Sequence, residues 1–123
     1  MTMTLLTWIG VVLLGGVGAS ARFLVDWLVS LRLGFHFPYG TLVVNLSGAF
    51  LLGLLAGAAV DGDARLLAGT ATLGSYTTFS TWMLETRELG QRGERRAAAI
   101  NVLGGLALGL GAAALGHAVG ARL

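Results

Sequence analysis

Residues 74–82, Gly-Ser-Tyr-Thr-Thr-Phe-Ser-Thr-Trp, place glycine and hydroxyl side chains in the middle of an uncharged stretch of the chain. Ser and Thr hydroxyls can bond to nearby backbone carbonyls in place of the helical ladder. Non-helical backbone at membrane depth persists only where protein or a water-filled cavity satisfies its polar groups. Two interpretations stay open: an intact helix with Ser and Thr back-bonding, or a helix broken around an ion, a substrate or another subunit's backbone.

Asn45 is a second polar group inside an apolar stretch. An amide at that depth needs hydrogen-bond partners. Such a side chain either ties two helices together or donates hydrogen bonds along a polar pathway, and the sequence alone leaves both roles open.

The stretches that carry these groups are apolar and free of Asp, Glu, Lys and Arg. They cover residues 5–21, 37–60, 66–84 and 97–121. Each is close to the roughly 20 residues, with a range of about 17–25, that cross the hydrocarbon core as a helix. Charged residues make up 11% of the chain, against about a quarter in soluble domains.

The sequence therefore predicts an all-α integral membrane protein, multi-pass in the plasma membrane, with residues 1–123 forming a single membrane domain. The four predicted transmembrane helices cover about 4–28, 37–60, 65–86 and 97–120. A soluble four-helix bundle would need a polar face on every helix, and no such face is visible. The apolar run that ends at Ala19-Ser20-Ala21 is interpreted as a span and not as a signal peptide, because no basic residue precedes it and three more spans follow.

Composition excludes several other functions. The chain has no cysteine, which rules out disulfides and thiolate metal sites. No basic stripe with interleaved aromatic residues predicts nucleic-acid binding, and no nucleophile–base pair or metal-ligand constellation predicts an enzyme. His36 and His117 lie near predicted span ends and receive no role.

Charged residues near the span ends carry topological information. Arg22 and Asp26 are spaced i,i+4 and either pair on one helix face or mark the end of the first span. Two predicted loops carry most of the arginines, which favours the location of these loops in the cytoplasm. They are loop one (residues 30–37), before the second span, and loop three (residues 87–96), before the fourth. The arginines in these loops are Arg32, Arg87, Arg92, Arg95 and Arg96, against Arg65 and Arg122 on the opposite side.

Three motifs occur in order and in register with the predicted spans. They are Gly15-x-x-Gly18-Ala19-x-x-Arg22, Gly40-Thr41-Leu42-x-Val44-Asn45-x-x-Gly48, and Gly74-x-x-Thr77-Thr78-Phe79-Ser80-Thr81 followed by Glu85. With them the chain resembles the fluoride-specific ion channel family, called Fluc or CrcB, over nearly its whole length. The resemblance implies a passive, fluoride-selective channel that exports cytoplasmic fluoride and reduces its toxicity.

The resemblance also implies an antiparallel, dual-topology dimer with two pores and a third helix broken near its centre. A structural sodium ion, which is not transported, would lie at the dimer centre and be held by the main-chain carbonyls of Gly74 and Thr77. The arginine bias leaves two assemblies open, an antiparallel homodimer and a heterodimer with a homologous chain of opposite bias.

By the same resemblance, the fluoride pathway comprises Asn45, Phe79, Ser80, Thr81, Trp82 and Asn101. Trp82 stands where the family has its second Phe, and Asn101 takes a position that is Tyr in some members. Arg22 would serve structure or an aqueous vestibule. Fluoride is strongly hydrated, so a filter must replace its water with close donors. Amide and hydroxyl groups supply such donors, the edge of Phe79 is positive, and the Trp82 indole adds an N–H.

Two other functions fit part of the sequence. A small four-span, proton-coupled multidrug exporter needs a titratable carboxylate deep in the bilayer, whereas Asp26 and Glu85 lie near predicted span ends. A packing subunit without transport would suit the glycine-rich spans but would not explain Asn45 together with a broken span.

Overall fold

The computed structural model describes residues 3–123, and every regular element in that range is helical. The all-α prediction is confirmed for this part of the chain. The elements are α1 (Leu5–Leu33), α2 (Tyr39–Gly57), α3 (Gly62–Arg65), a π-helix (Leu66–Leu73), α4 (Gly74–Tyr76), α5 (Ser80–Gln91) and α6 (Arg95–Gly120).

Helices α1, α2 and α6 are each long and apolar enough to cross a membrane. Their large apolar side chains point mostly outward, as in Leu6 and Val12, which are 78% and 70% exposed. Few large side chains are fully buried, Val44 and Leu89 among them. This arrangement suits a chain whose helices are surrounded by lipid, because an outward-facing leucine then stays in an apolar medium.

The first helix ends later than the sequence predicted. It continues to Leu33, and Gly34, with φ of 91°, closes it by donating its N–H to the carbonyl of Ser30 at 2.8 Å. Only glycine adopts such a φ without strain, so the turn towards α2 falls where the sequence has Gly34.

The third apolar stretch is built from several short pieces. It begins with α3 and the π-helix, in which the Thr72 hydroxyl donates to the carbonyl of Leu67, five residues earlier, at 2.7 Å. Helix α4 then ends at Tyr76, Thr77 is extended with φ of −75° and ψ of 159°, and α5 begins at Ser80. Residues 77–79 between α4 and α5 are called the linker segment below.

Helices α2 and α6 form the most extensive helix–helix contact in the described residues. Each helix presents two glycines spaced four apart to the backbone of the other, and a Cβ on any of them would overlap that backbone. The pairs are Gly53 with Ala113, Gly57 with His117, Gly116 with Phe50, and Gly120 with Leu54. Small residues of this kind let two backbones approach closely in lipid, so the contact fixes α2 against α6.

Candidate functional site

Asn45 holds the linker segment through two hydrogen bonds. Its Nδ2 donates to the carbonyl of Thr78 at 2.8 Å, and its Oδ1 accepts the Thr78 backbone N–H, also at 2.8 Å. Thr78 is buried, so both backbone groups would otherwise lack a partner in an apolar medium. The structure thus assigns Asn45 the helix-tying role, and one of its two amide hydrogens remains for another acceptor.

An apolar groove of about 390 Å³ opens beside this contact and is called the aromatic groove. Its lining includes Asn45, Thr77, Thr78, Phe79, Trp82 and Gly105. The side chain of Phe79 is 69% exposed, and its ring meets that of Trp82 edge-on, with centroids 5.9 Å apart and an interplanar angle of 87°.

Trp82 and Asn101 belong to one hydrogen-bond network between α5 and α6. The indole Nε1 of Trp82 donates to the backbone carbonyl of Asn101 at 2.9 Å. The Asn101 Nδ2 donates to the hydroxyl of Thr86 at 2.8 Å, and that hydroxyl donates to the carbonyl of Trp82 at 2.8 Å. Asn101 is only 3% exposed, so the network uses the indole donor and an amide donor inside the protein.

A second, more polar space of about 220 Å³ lies on the other side of Thr78 and is called the polar cavity. Its lining residues are Arg22, Phe23, Asp26, Thr41, Val44, Thr78 and Thr81. Two predicted site residues, Arg22 and Thr81, therefore share a cavity, while Ser80, which precedes Thr81 in the chain, is exposed. The remaining predicted pathway residues line the aromatic groove or, like Asn101, a neighbouring apolar pocket.

Thr41 and Glu85 are polar residues of this region to which the sequence analysis gave no role. The Thr41 hydroxyl donates to Glu85 Oε1, which joins α2 to α5, and Thr41 is 2% exposed. Both residues belong to the motifs quoted above. Because they lie 44 positions apart in the chain, spacing gave no indication that they meet.

The ion pairs of the described residues do not include one between Arg22 and Asp26. The alternative in which these two side chains pair on one helix face is therefore wrong. Asp26 instead accepts a hydrogen bond from the Ser30 hydroxyl at 3.4 Å. Helix α2 approaches Asp26 so closely at Gly40 that a Cβ there would overlap the carboxylate. Arg22 lines the polar cavity and supplies a positive charge at its wall.

Two backbone carbonyls, one in α4 and one at the start of the linker segment, have no helical partner. The Thr78 N–H, which would continue the ladder to Gly74, bonds to Asn45, and the Thr81 N–H bonds to the Thr78 hydroxyl at 3.3 Å. Among residues 3–123, the carbonyls of Gly74 and Thr77 accept no hydrogen bond. Oxygen ligands of this kind suit a hard cation, and no cluster of acidic, His or Cys side chains competes with them in the described range.

Loops one and three touch at one end of the molecule. Glu94 Oε1 lies 3.4 Å from His36 Nε2, and Glu94 Oε2 lies 3.3 Å from Arg92 Nη2. Arg92 also donates to the carbonyl of His36 at 3.2 Å. His36 and Arg92 are largely exposed, so this loop cluster lies apart from the groove and the cavity.

Known proteins with a similar sequence come from one family. The sequence profile of the CrcB-like protein family (Camphor Resistance, CrcB) matches residues 9–117. A relative from Mycobacterium tuberculosis named fluoride-specific ion channel FluC 2 is 56% identical over 115 residues, covering 94% of this chain and 91% of the relative. Relatives named fluoride-specific ion channel FluC 1 occur in Rubrobacter xylanophilus, 49% identical with 86% of both chains covered, and in Symbiobacterium thermophilum, 41% identical with 94% and 98% covered.

Proposed function

The chain belongs to the CrcB-like protein family, and on this premise we propose that it is a fluoride-selective channel through which cytoplasmic fluoride leaves the cell passively. It is a multi-pass membrane protein, and the names of its relatives are those of ion channels and not of enzymes. Export of fluoride by this route would reduce its toxicity.

The observation that carries the proposal is the set of neutral donors around the linker segment. Asn45 is oriented by Thr78 and keeps one amide hydrogen. The hydroxyls of Ser80 and Thr81 lie just beyond, on the first turn of α5. Neutral donors replace the water around a strongly hydrated anion without a fixed positive charge that would hold it too tightly.

Phe79 is the second part of the proposed pathway. Its ring is 69% exposed and borders the aromatic groove. The edge of an aromatic ring is positive, so a ring presented edge-on can contact an anion in a place that excludes water. Arg22 would give an entering anion a positively charged contact in the polar cavity, whose lining also includes Thr81 and the negatively charged Asp26.

A structural sodium ion is a further part of the proposal. We propose that the carbonyls of Gly74 and Thr77, at the broken centre of the third span, bind this sodium ion, since neither carbonyl has another partner in the described residues. Sodium would fix the assembly without being transported. Replacement of sodium by a large organic cation should then lower both thermal stability and efflux, and identical values in the two salts would contradict the site.

An antiparallel, dual-topology dimer completes the proposal, with a homologous chain as partner if the arginine bias fixes the orientation. The large exposed fraction of Phe79 suits a residue that a second subunit covers. The numbers 1 and 2 in the relatives' names support the existence of more than one form. Mapping which side of the membrane each terminus faces tests the assembly, because a single orientation without a second chain contradicts a homodimer.

The channel function is tested by anion efflux from liposomes that contain the purified protein. We expect fast release of fluoride and none of chloride, without dependence on a proton gradient. Phe79→Ile should abolish fluoride release. Phe35→Ile is the matched control, because Phe35 is equally exposed at 69% but lies in loop one, and this variant should conduct normally.

Three results would contradict the proposal. Equal release of chloride and fluoride would remove selectivity, and release only under a proton gradient would favour the coupled exporter. If the folded protein, reconstituted with a homologous chain, released neither ion, the channel function itself would be contradicted.

A further inference from the structure

Trp82 packs into a recess on α6 that exists because residue 105 is glycine, and this recess at Gly105 is called the notch. A Cβ on Gly105 would lie 2.9 Å from Cζ2 of the indole and 3.1 Å from its Nε1. The six-membered edge and the N–H of the indole therefore rest directly against the backbone of α6. A side chain at position 105 would push the indole away from that backbone, so Gly105 determines where the ring lies.

The indole is also fixed in rotation. Its N–H points at the carbonyl of Asn101 at 2.9 Å, one helical turn before Gly105. Asn101 is held in turn by Thr86, which bonds back to the carbonyl of Trp82. Steric contact and a directional hydrogen bond together leave the Trp82 ring one orientation.

Phe79 has no hydrogen-bonding group in its side chain that could hold it in the same way. Its ring is mostly exposed, and Trp82 is its aromatic neighbour in the described part of the chain. Position 79 precedes position 82 by three residues at the start of α5, so the two side chains share one face of the helix. The near-perpendicular contact with the immobile indole thus selects the direction in which the Phe79 ring points.

We propose that Trp82 is a positioning residue, which orients the edge of Phe79 towards the fluoride pathway and does not itself donate to the ion. This inference rests on the proposed channel function and refines it. The indole N–H is engaged by α6, so Trp82 acts on conduction through Phe79. In this arrangement Asn101 and Gly105 hold the indole in place, and the indole in turn orients the Phe79 ring.

The first experiment removes only the N–H. Trp82 is replaced by 3-benzothienylalanine, which has the shape of tryptophan without the donor, and a fluorine-labelled phenylalanine is introduced at position 79. We expect the ¹⁹F resonance of residue 79 to shift and to report faster ring motion. Fluoride efflux should fall about three- to tenfold, the range that loss of one neutral hydrogen bond supports.

The second experiment uses the notch. Gly105→Ala should displace the indole and give the same two effects, and combining it with the benzothienyl replacement should lower efflux little further, because both changes act through the position of the same ring. Gly111→Ala is the control on the same helix, since a Cβ there meets nothing within 4 Å. It should leave the resonance and the efflux unchanged.

The outcomes separate positioning from a merely structural role. An unchanged ¹⁹F resonance in the benzothienyl variant, or fully additive losses of efflux when it is combined with Gly105→Ala, would overturn the proposal. Absence of fluoride efflux from the unmodified protein would instead refute the channel function, and the ¹⁹F comparison would still decide whether Trp82 orients Phe79.

Discussion

The two halves of helix α2 hold the protein together in different ways. From Tyr39 to Ser47, polar side chains bind the third apolar stretch: Thr41 bonds to Glu85, Asn45 to Thr78, and Ser47 to the Tyr76 hydroxyl at 2.9 Å. In the second half, Gly53 and Gly57 lie against the backbone of α6, while Gly48, at its start, lies against the side chains of Thr77 and Tyr76.

The difference follows from what each half contacts. In lipid, helices gain little from burying apolar surface, so close packing and interhelical hydrogen bonds hold them together. A regular partner such as α6 satisfies its own backbone and needs only a close fit. The linker segment does not satisfy its own backbone, and it needs side chains that supply the missing donors and acceptors.

The largest expected effect comes from breaking the glycine half. Gly116→Ile places a branched side chain where even a Cβ would overlap the carbonyl of Phe50. Since backbone cannot move aside locally, α2 and α6 must separate, and we expect a loss of about 3 kcal/mol or more in unfolding free energy. Equilibrium unfolding in bicelles measures it, with Gly111→Ile as control. A loss below that of the control would show that the contact is not close.

A smaller effect on stability, with a complete effect on function, is expected from the polar half. Asn45→Leu leaves the N–H and carbonyl of Thr78 without partners, which should cost about 2 kcal/mol. Asn45→Asp keeps the acceptor but loses the donor and adds a negative charge. Both variants should stop fluoride efflux.

Ser47→Ala is the control for this comparison. The Ser47 hydroxyl bonds to the Val43 carbonyl of its own helix at 2.7 Å as well as to Tyr76, so its removal should cost about 1 kcal/mol or less and leave efflux intact. If Asn45→Leu conducts normally, the polar half of α2 does not position the pathway.

The smallest effect is expected from the loop cluster, which lies outside both halves of α2. Arg92→Ala removes the contacts of Arg92 with Glu94 and with the carbonyl of His36. Exposed ion pairs contribute about 0.2–1 kcal/mol, so unfolding free energy should fall by no more than that, and efflux should match the unmodified protein. A large loss of efflux would mean that the loop cluster controls the pathway, and the contrast within α2 would then be incomplete.

Local features of this molecule were predictable from the sequence, and partners distant in the chain were not. Length and hydropathy predicted the three long helices, whereas the third predicted span is divided into several short elements. The Gly/Ser/Thr-rich stretch left both an intact and a broken helix open. The partner of Asn45 lies 33 residues away, and no local pattern identifies it. The π-helix was not predicted either, because its hydrogen-bond register leaves no mark on composition.

The same limit applies to side chains with two possible partners. Arg22 and Asp26 have the spacing of a helical ion pair, yet Asp26 accepts from Ser30 and Arg22 faces the polar cavity. The sequence indicated no partner for the Trp82 N–H, which in the structure donates to the backbone carbonyl of Asn101. Competition among neighbours in space decided both cases.

The glycine contact between α2 and α6 has a consequence for biosynthesis. Gly53 and Gly57 are synthesised before Gly116 and Gly120, the glycines of α6 in the same contact. Helix α2 must therefore lie in the bilayer without this partner until α6 has been synthesised. A ribosome that stalls before residue 116 leaves a protein in which the Asn45 contact can form but the closest helix pair cannot, so truncated chains should be recognised and degraded as unassembled.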